Sequence, residues 1–242
     1  MNKLLFSWPQ KNRALPVICV CVGQVIWGFS YLFTRIAQSS ASPTVVLSMR
    51  FLASWVIMTA LIWSGKKSFS LKGKDFRPLL ALALLEPPYY FFESYGVYYS
   101  NATFAGTVMA FAPVVGILAA MLFLGEKPTR RQKIFSLLPT AGVIIITSVG
   151  SSMGIVKPLG AIFLFASQIV AAGMKLYNKK SSEEFSSFER TYAIVVANAI
   201  IFTIKSMIDL HGDVRAYAAP LGNPEYVFAL VVLCLFCSIA AN

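Results

Sequence analysis

The sequence predicts an all-α fold, a polytopic bundle of transmembrane helices, and three observations carry that prediction. Of 242 residues, 57% are apolar and only 13% charged, where soluble chains run roughly 45–50% and 25%. Seven apolar runs approach the length of about 20 residues that a spanning helix needs, and an eighth begins before the last residue, Asn242. The breaks between runs are short, which leaves no room for an extramembrane domain. The net charge of +11 therefore belongs to membrane loops, not to a nucleic-acid-binding surface.

The runs cover residues 16–36, 44–64, 78–98, 103–123, 132–149, 159–177, 191–208 and 226–242. Lys3, Lys11 and Arg13 precede the first like the basic start of a secretory signal. That run exceeds the about 7–15 residues of a signal core and lacks a small-residue cleavage site, so it reads as a retained helix. Sixteen of the 21 Lys and Arg fall in the N-terminal tail and in alternate loops, as with Lys66, Lys67, Lys72, Lys74 and Arg77 between the second and third runs. Cytoplasmic loops retain such bases, so the N-terminus is expected in the cytoplasm.

The second run carries one buried base, Arg50, and the third, within LLALALLEPPYYFFESYGVYYSNA, carries two acids, Glu86 and Glu93. A charge at mid-membrane costs about 2.5–3.5 kcal/mol on insertion scales, so these groups want partners or water. The glutamates are seven residues apart, two helical turns, and project from one face with Tyr89 and Tyr90 between or beside them. That acid, aromatic, acid ladder suits the wall of a cavity. Arg50 lies roughly 9 Å below the outer end of its run, Glu93 roughly 7.5 Å and Glu86 roughly 18 Å. Depth therefore pairs Arg50 with Glu93 and leaves Glu86 near the midplane to respond to a proton or a solute. The alternative is a permanent structural ion pair beside a neutral Glu86.

Pro87 and Pro88 free the carbonyls of Ala83 and Leu84, which predicts a kink beside Glu86. Pro113 in the fourth run and Pro139 in the fifth free Met109 and Phe135, and serve either to shape the bundle or to let it move. In the first run Trp27 and Tyr31, four residues apart beside Gln24 and Ser30, line a pore or pack the core. Asn198 in the seventh run can hydrogen bond across the bundle, and Ala112, Gly116 and Ala120 have the spacing that lets a neighbour approach closely. Lys175 and Lys205 are close enough to helix ends to snorkel.

Cys19, Cys21, Cys234 and Cys237 all lie in apolar runs and read as packing. His211, the single histidine, sits in a polar outer loop, so no metal site is expected. No HExxH, GxSxG or P-loop motif occurs, and the chain does not read as an enzyme.

Residues 24–36 (QVIWGFSYLFTRI) can be laid over residues 168–180 (QIVAAGMKLYNKK) at a spacing of 144, with five runs per repeat. An odd number of spans inverts the topology of the second copy.

Three stretches, WGFSYLFTRIAQSSASPTVVLSMRF, FFESYGVYYSNATFAGTVMAFAPVVGILAAMLFLGEK and QKIFSLLPTAGVIIIT, resemble the drug/metabolite transporter superfamily, EamA type. Pro113 followed by Gly125 and Glu126 at the inner end of the same run is the most specific part of the likeness; Glu86 and Glu93 resemble a subgroup feature. Members of the family are ten-helix secondary transporters built from two inverted five-helix repeats around a central cavity. The resemblance implies a first repeat over residues 1–150 and an incomplete second over 151–242, ending within an eighth helix. The expected protein is an inner-membrane transporter of small polar metabolites, most plausibly exporting amino acids or related compounds, by alternating access and with no cofactor. Its partners are the solute, the bilayer and a coupling proton, with a homodimer or a completing partner chain left open. The competing expectation is a non-transporting membrane component or an inactive truncated permease fragment.

Overall fold

A computed structural model describes residues 14–124, 128–132, 134, 138 and 157–235, and every regular element among them is helical. Helix α1 covers Ala14–Ala37, α2 Pro43–Trp63 and α3 Arg77–Tyr99. Helices α4 (Ala102–Met109) and α5 (Ala112–Leu124) follow, then α6 (Pro158–Ser181), α7 (Ser187–Asp209), the short α8 (Val214–Ala218) and α9 (Pro224–Val232). Six of the expected runs thus reappear with ends shifted by at most four residues where described. The fifth run, with Pro139, falls almost wholly outside the described residues, as do Gly125, Glu126, Cys237 and the end of the eighth run.

The ends have local causes. Pro43, Pro78, Pro158 and Pro224 open α2, α3, α6 and α9 within their first turns, where a missing N–H costs nothing. Ser186 and Glu189 form a reciprocal capping box that starts α7 four residues before its apolar run. His211 and Gly212 both take positive φ, 50° and 79°, in the turn that ends it.

The fourth run is two helices. Ahead of Pro113 the chain makes a turn at Ala110 and Phe111, with Phe111 N–H donating to Val108 at 3.1 Å, so the interruption falls beside the carbonyl that proline frees. Pro87 and Pro88 behave differently, since α3 continues as helix through both. A second departure is α8 with the following 3-10 turn (Ala219–Gly222), which meets the next helix at 92° where a simple loop was expected.

Among the described residues α2, α6 and α7 are long and apolar enough to cross a membrane unaided, and the bent pair supplies a fourth crossing if it counts as one span. Helix α3 has the length but, with Glu86, Glu93 and five tyrosines, not the hydropathy. Neighbours cover it instead: it packs most extensively on α6, then on α7, with α2, α1 and α4 completing its surroundings.

Two antiparallel pairings build the bundle. Along α2 and α7, Thr44 donates to Asp209 at 3.1 Å, Ser48 bonds Thr203 at 2.9 Å and Thr59 bonds Tyr192 at 3.2 Å. Along α3 and α6, Gly96 faces the buried Leu164 and Gly160 lies on the Tyr99 carbonyl and the Ser100 Cβ. The Lys157 N–H donates to the Tyr99 carbonyl at 3.1 Å at the same crossing. Glycine allows this approach because a Cβ at Gly160 would sit 2.9 Å from the Tyr99 carbonyl carbon, which cannot move aside.

Gly160→Ala is therefore expected to destabilise the protein by about 1–3 kcal/mol, read as a lower Tm in detergent. Gly28→Ala, whose Cβ would meet nothing within 4 Å, should leave Tm unchanged or raise it slightly.

Candidate functional site

Helix α3 turns one face toward α1 and α2, and the polar groups foreseen in its sequence collect there. Glu93 is the centre. Its Oε1 accepts the Tyr89 hydroxyl at 2.8 Å from one turn earlier and the Tyr31 hydroxyl at 3.0 Å from α1. Both bonds reach the same oxygen, and among the described residues Oε2 receives none. Tyr31 is buried and its hydroxyl has a reason to be: unpaired at this depth it would cost about 1–3 kcal/mol.

Glu86 lies two turns away toward the start of α3, buried, with no hydrogen-bond partner among the described residues. Arg50 is buried on α2 with its guanidinium carbon 5.2 Å from the Tyr90 ring centroid and 5.3 Å from that of Phe51. Those rings meet edge to face at 4.9 Å, and Tyr90 meets Tyr89 at 5.1 Å. Trp27 packs on the apolar cluster that contains Tyr89, Tyr90 and Phe51.

All seven residues singled out from the sequence therefore meet around one helix face. The expected direct Arg50–Glu93 bridge does not form; the ion pairs among the described residues are Lys74–Glu189, at 2.7 Å, and Lys205–Asp209. Equal depth did not identify the partner. Two tyrosine hydroxyls already hold Glu93, and the aromatic faces of Tyr90 and Phe51 hold the guanidinium, a contact worth about 2 kcal/mol or more when desolvated.

Beside Asn198, which the sequence had singled out, two buried glutamines were not foreseen. Gln38 Nε2 donates to the carbonyl and hydroxyl of Ser94, both at 2.9 Å, while its Oε1 is unmatched. Asn198 donates to the Ile194 carbonyl of its own helix at 2.9 Å and leaves Oδ1 unmatched, so among the described residues it makes no bond across the bundle. Gln168 is buried against Met109. Single glutamines at helical spacing carry no signal of their own; a polar residue in a run of otherwise apolar ones was the clue. Ser30 bonds only the Trp27 carbonyl of its own helix, and the side chain of Gln24 lies outside the described set.

Each end of the α2–α7 pair is tied off. At one end Glu189 accepts Lys74 Nζ and the Ser70 N–H, at 2.7 and 3.2 Å. At the other, Ser48 bonds Thr203 and, at 2.8 Å, the Tyr217 hydroxyl, while Asn223 donates to Ser40 at 2.9 Å. The arrangement is a layer of one base and two acids in an aromatic wall, enclosed between polar contacts at both ends.

Residues 14–148 match the EamA-like transporter family. The chain belongs to that family. It is 30% identical over 237 residues to the uncharacterized transporter YcxC of Bacillus subtilis, covering 96% of this chain and 76% of that one. An uncharacterized transporter of Archaeoglobus fulgidus is 22% identical over 202 residues, 82% of this chain and 71% of its own. The uncharacterized inner membrane transporter YedA of Escherichia coli K12 is 25% identical over 185 residues, 76% and 59%. This EamA-like protein is accordingly a multi-pass membrane transporter.

Tyr31→Phe and Tyr89→Phe should each destabilise the protein by about 1–3 kcal/mol, measured by unfolding in detergent. In a Glu93→Leu background the same replacements should cost nothing, because the hydroxyls have then lost their acceptor.

Proposed function

We propose that the protein is a proton-coupled secondary transporter that exports small polar metabolites, amino acids or related compounds, by alternating access across the cell's inner membrane. The observation that carries this reading is the partition of charge in the α3 layer. Glu86 and the Oε2 of Glu93 accept no hydrogen bond from the described residues, and the Arg50 guanidinium lies against the rings of Tyr90 and Phe51, Tyr90 being on the same helix as both acids. A zwitterion entering that layer would find acids for its ammonium and a guanidinium for its carboxylate, with Tyr89, Tyr90 and Trp27 to exclude water. Tyr31 and Tyr89 keep Glu93 in place, and Glu86, nearest the midplane, is the group that exchanges a proton during the cycle.

The packing supports a reading as inverted repeats, residues 1–150 and 151–242. Exchanging the first, second and third spans with the sixth, seventh and eighth turns the α3–α6 pairing into the α9–α1 pairing and returns α2–α7 to itself, and all three pairings occur. The excess of Lys and Arg in alternate loops supports a cytoplasmic N-terminus. On that orientation the Lys74–Glu189 contact closes the cytoplasmic end and the Thr44–Asp209 contact the outer one, and each must open in turn.

Proteoliposomes loaded with a defined amino-acid mixture, under an imposed pH gradient, test the coupling. The protein should release a subset of these solutes faster with the gradient than without it, and Glu86→Gln should abolish that difference. Export by Glu86→Gln at the normal rate and with the normal pH dependence would remove Glu86 from the coupling step.

A further inference from the structure

Two cavities open side by side where α2 ends and α7 begins. One, of about 410 Å³, is bounded by Gly65, Lys66, Lys67, Ser68 and the residues Ser186, Ser187 and Phe188. The other, of about 300 Å³, is almost wholly apolar and runs between α3 and α7, bounded by Phe69, Leu79, Leu80, Tyr192 and Val196 among others. They share a wall: Ser68 and Phe69 are consecutive, Phe188 stacks on Tyr192 at 6.3 Å, and Phe69 meets Tyr192 at 5.2 Å. We propose that together they bind one anionic phospholipid, its phosphate on Lys66 and Lys67 and one acyl chain in the α3–α7 groove.

Charge complementarity identifies the headgroup. Lys66 and Lys67 are exposed neighbours, and among the described residues neither has an acidic partner. Two carboxylates on this side are engaged elsewhere, Glu189 by Lys74, Ser70 and Ser186, and Glu184 by the Asp75 N–H at 2.5 Å. Lys67 also stands over the Phe188 ring, 5.8 Å from its centroid, which holds the ammonium at the rim between the two cavities. Gly65, at φ 72°, makes the turn that folds both lysines back toward α7.

Length identifies the tail. From Ser187 at the polar mouth to Ala197 at the far end of the groove is ten residues of helix, roughly 15 Å at 1.5 Å per residue. That is half of a hydrocarbon core about 30 Å thick, the depth of one leaflet. Trp63, 87% exposed at the end of α2, marks the level at which such a headgroup sits. A soluble phosphate would use the lysines and leave the groove without a role.

The test is native mass spectrometry of the full chain released from mild detergent containing equimolar phosphatidylglycerol and phosphatidylcholine. The protein should retain phosphatidylglycerol preferentially, and Lys66→Gln with Lys67→Gln should remove that preference, at about fivefold per lysine. Both replacements are at exposed positions, and an unchanged Tm would establish that the fold is intact. Equal retention of the two lipids, or a preference that survives the double replacement, would overturn the proposal. So would full displacement of bound phosphatidylglycerol by inorganic phosphate, which would make the site an anion site without a place for the tail.

Discussion

A helix that carries two carboxyl groups cannot face lipid, and α3 carries Glu86 and Glu93 within two turns. The rest of the bundle can be understood as the answer to that constraint. Helices α6 and α7 cover α3 most extensively, and α2, α1 and α4 cover the remainder. The glycines at positions 96 and 160 let α6 close on α3. Apolar helices able to cross on their own, α2, α6 and α7, supply the lipid-facing surface that α3 does not. Helix α3, which lacks the hydropathy of a span, is thereby packed against five neighbours.

Within that shell the polar groups divide the labour of satisfying one another. Tyrosine hydroxyls from α1 and α3 stabilise Glu93 at one oxygen, and aromatic faces stabilise Arg50 without consuming either carboxylate. A direct ion pair would have neutralised both charges permanently and left little for a solute to exchange with. Among the described residues base and acids are thus held by different partners. Serine, threonine and aspartate bonds between α2 and α7 lie on both sides of Arg50 along α2.

Much of this was legible in the sequence because membrane burial makes a polar residue conspicuous. Length and hydropathy placed α1, α2, α3, α6 and α7, and the two-turn spacing of Glu86 and Glu93 fixed the face on which the cluster forms. Partners were harder to read. Depth put Arg50 beside Glu93, but only the packing of α1 on α3 reveals that Tyr31 takes the place of the guanidinium. The carbonyl freed by Pro113 lies beside a break between two helices, whereas α3 runs on as helix through Pro87 and Pro88. Gln38 escaped notice because its partner, Ser94, lies on another helix 56 residues on, a distance that no local pattern spans. The short α8 escaped because five residues of helix leave no periodic signature.

Glu93, held by two tyrosines, is proposed to bind the solute and not only to anchor α1. That role is tested most directly by loading proteoliposomes with a mixed metabolite extract and following release by mass spectrometry, with unaltered protein and with Glu93→Gln. The amide keeps a group of the same size that can still accept the tyrosine bonds but carries no charge. The account predicts selective release of one class of ammonium-bearing solute by the unaltered protein and its loss in Glu93→Gln at near-normal Tm. Release of the same solutes at the same rate by Glu93→Gln would contradict it.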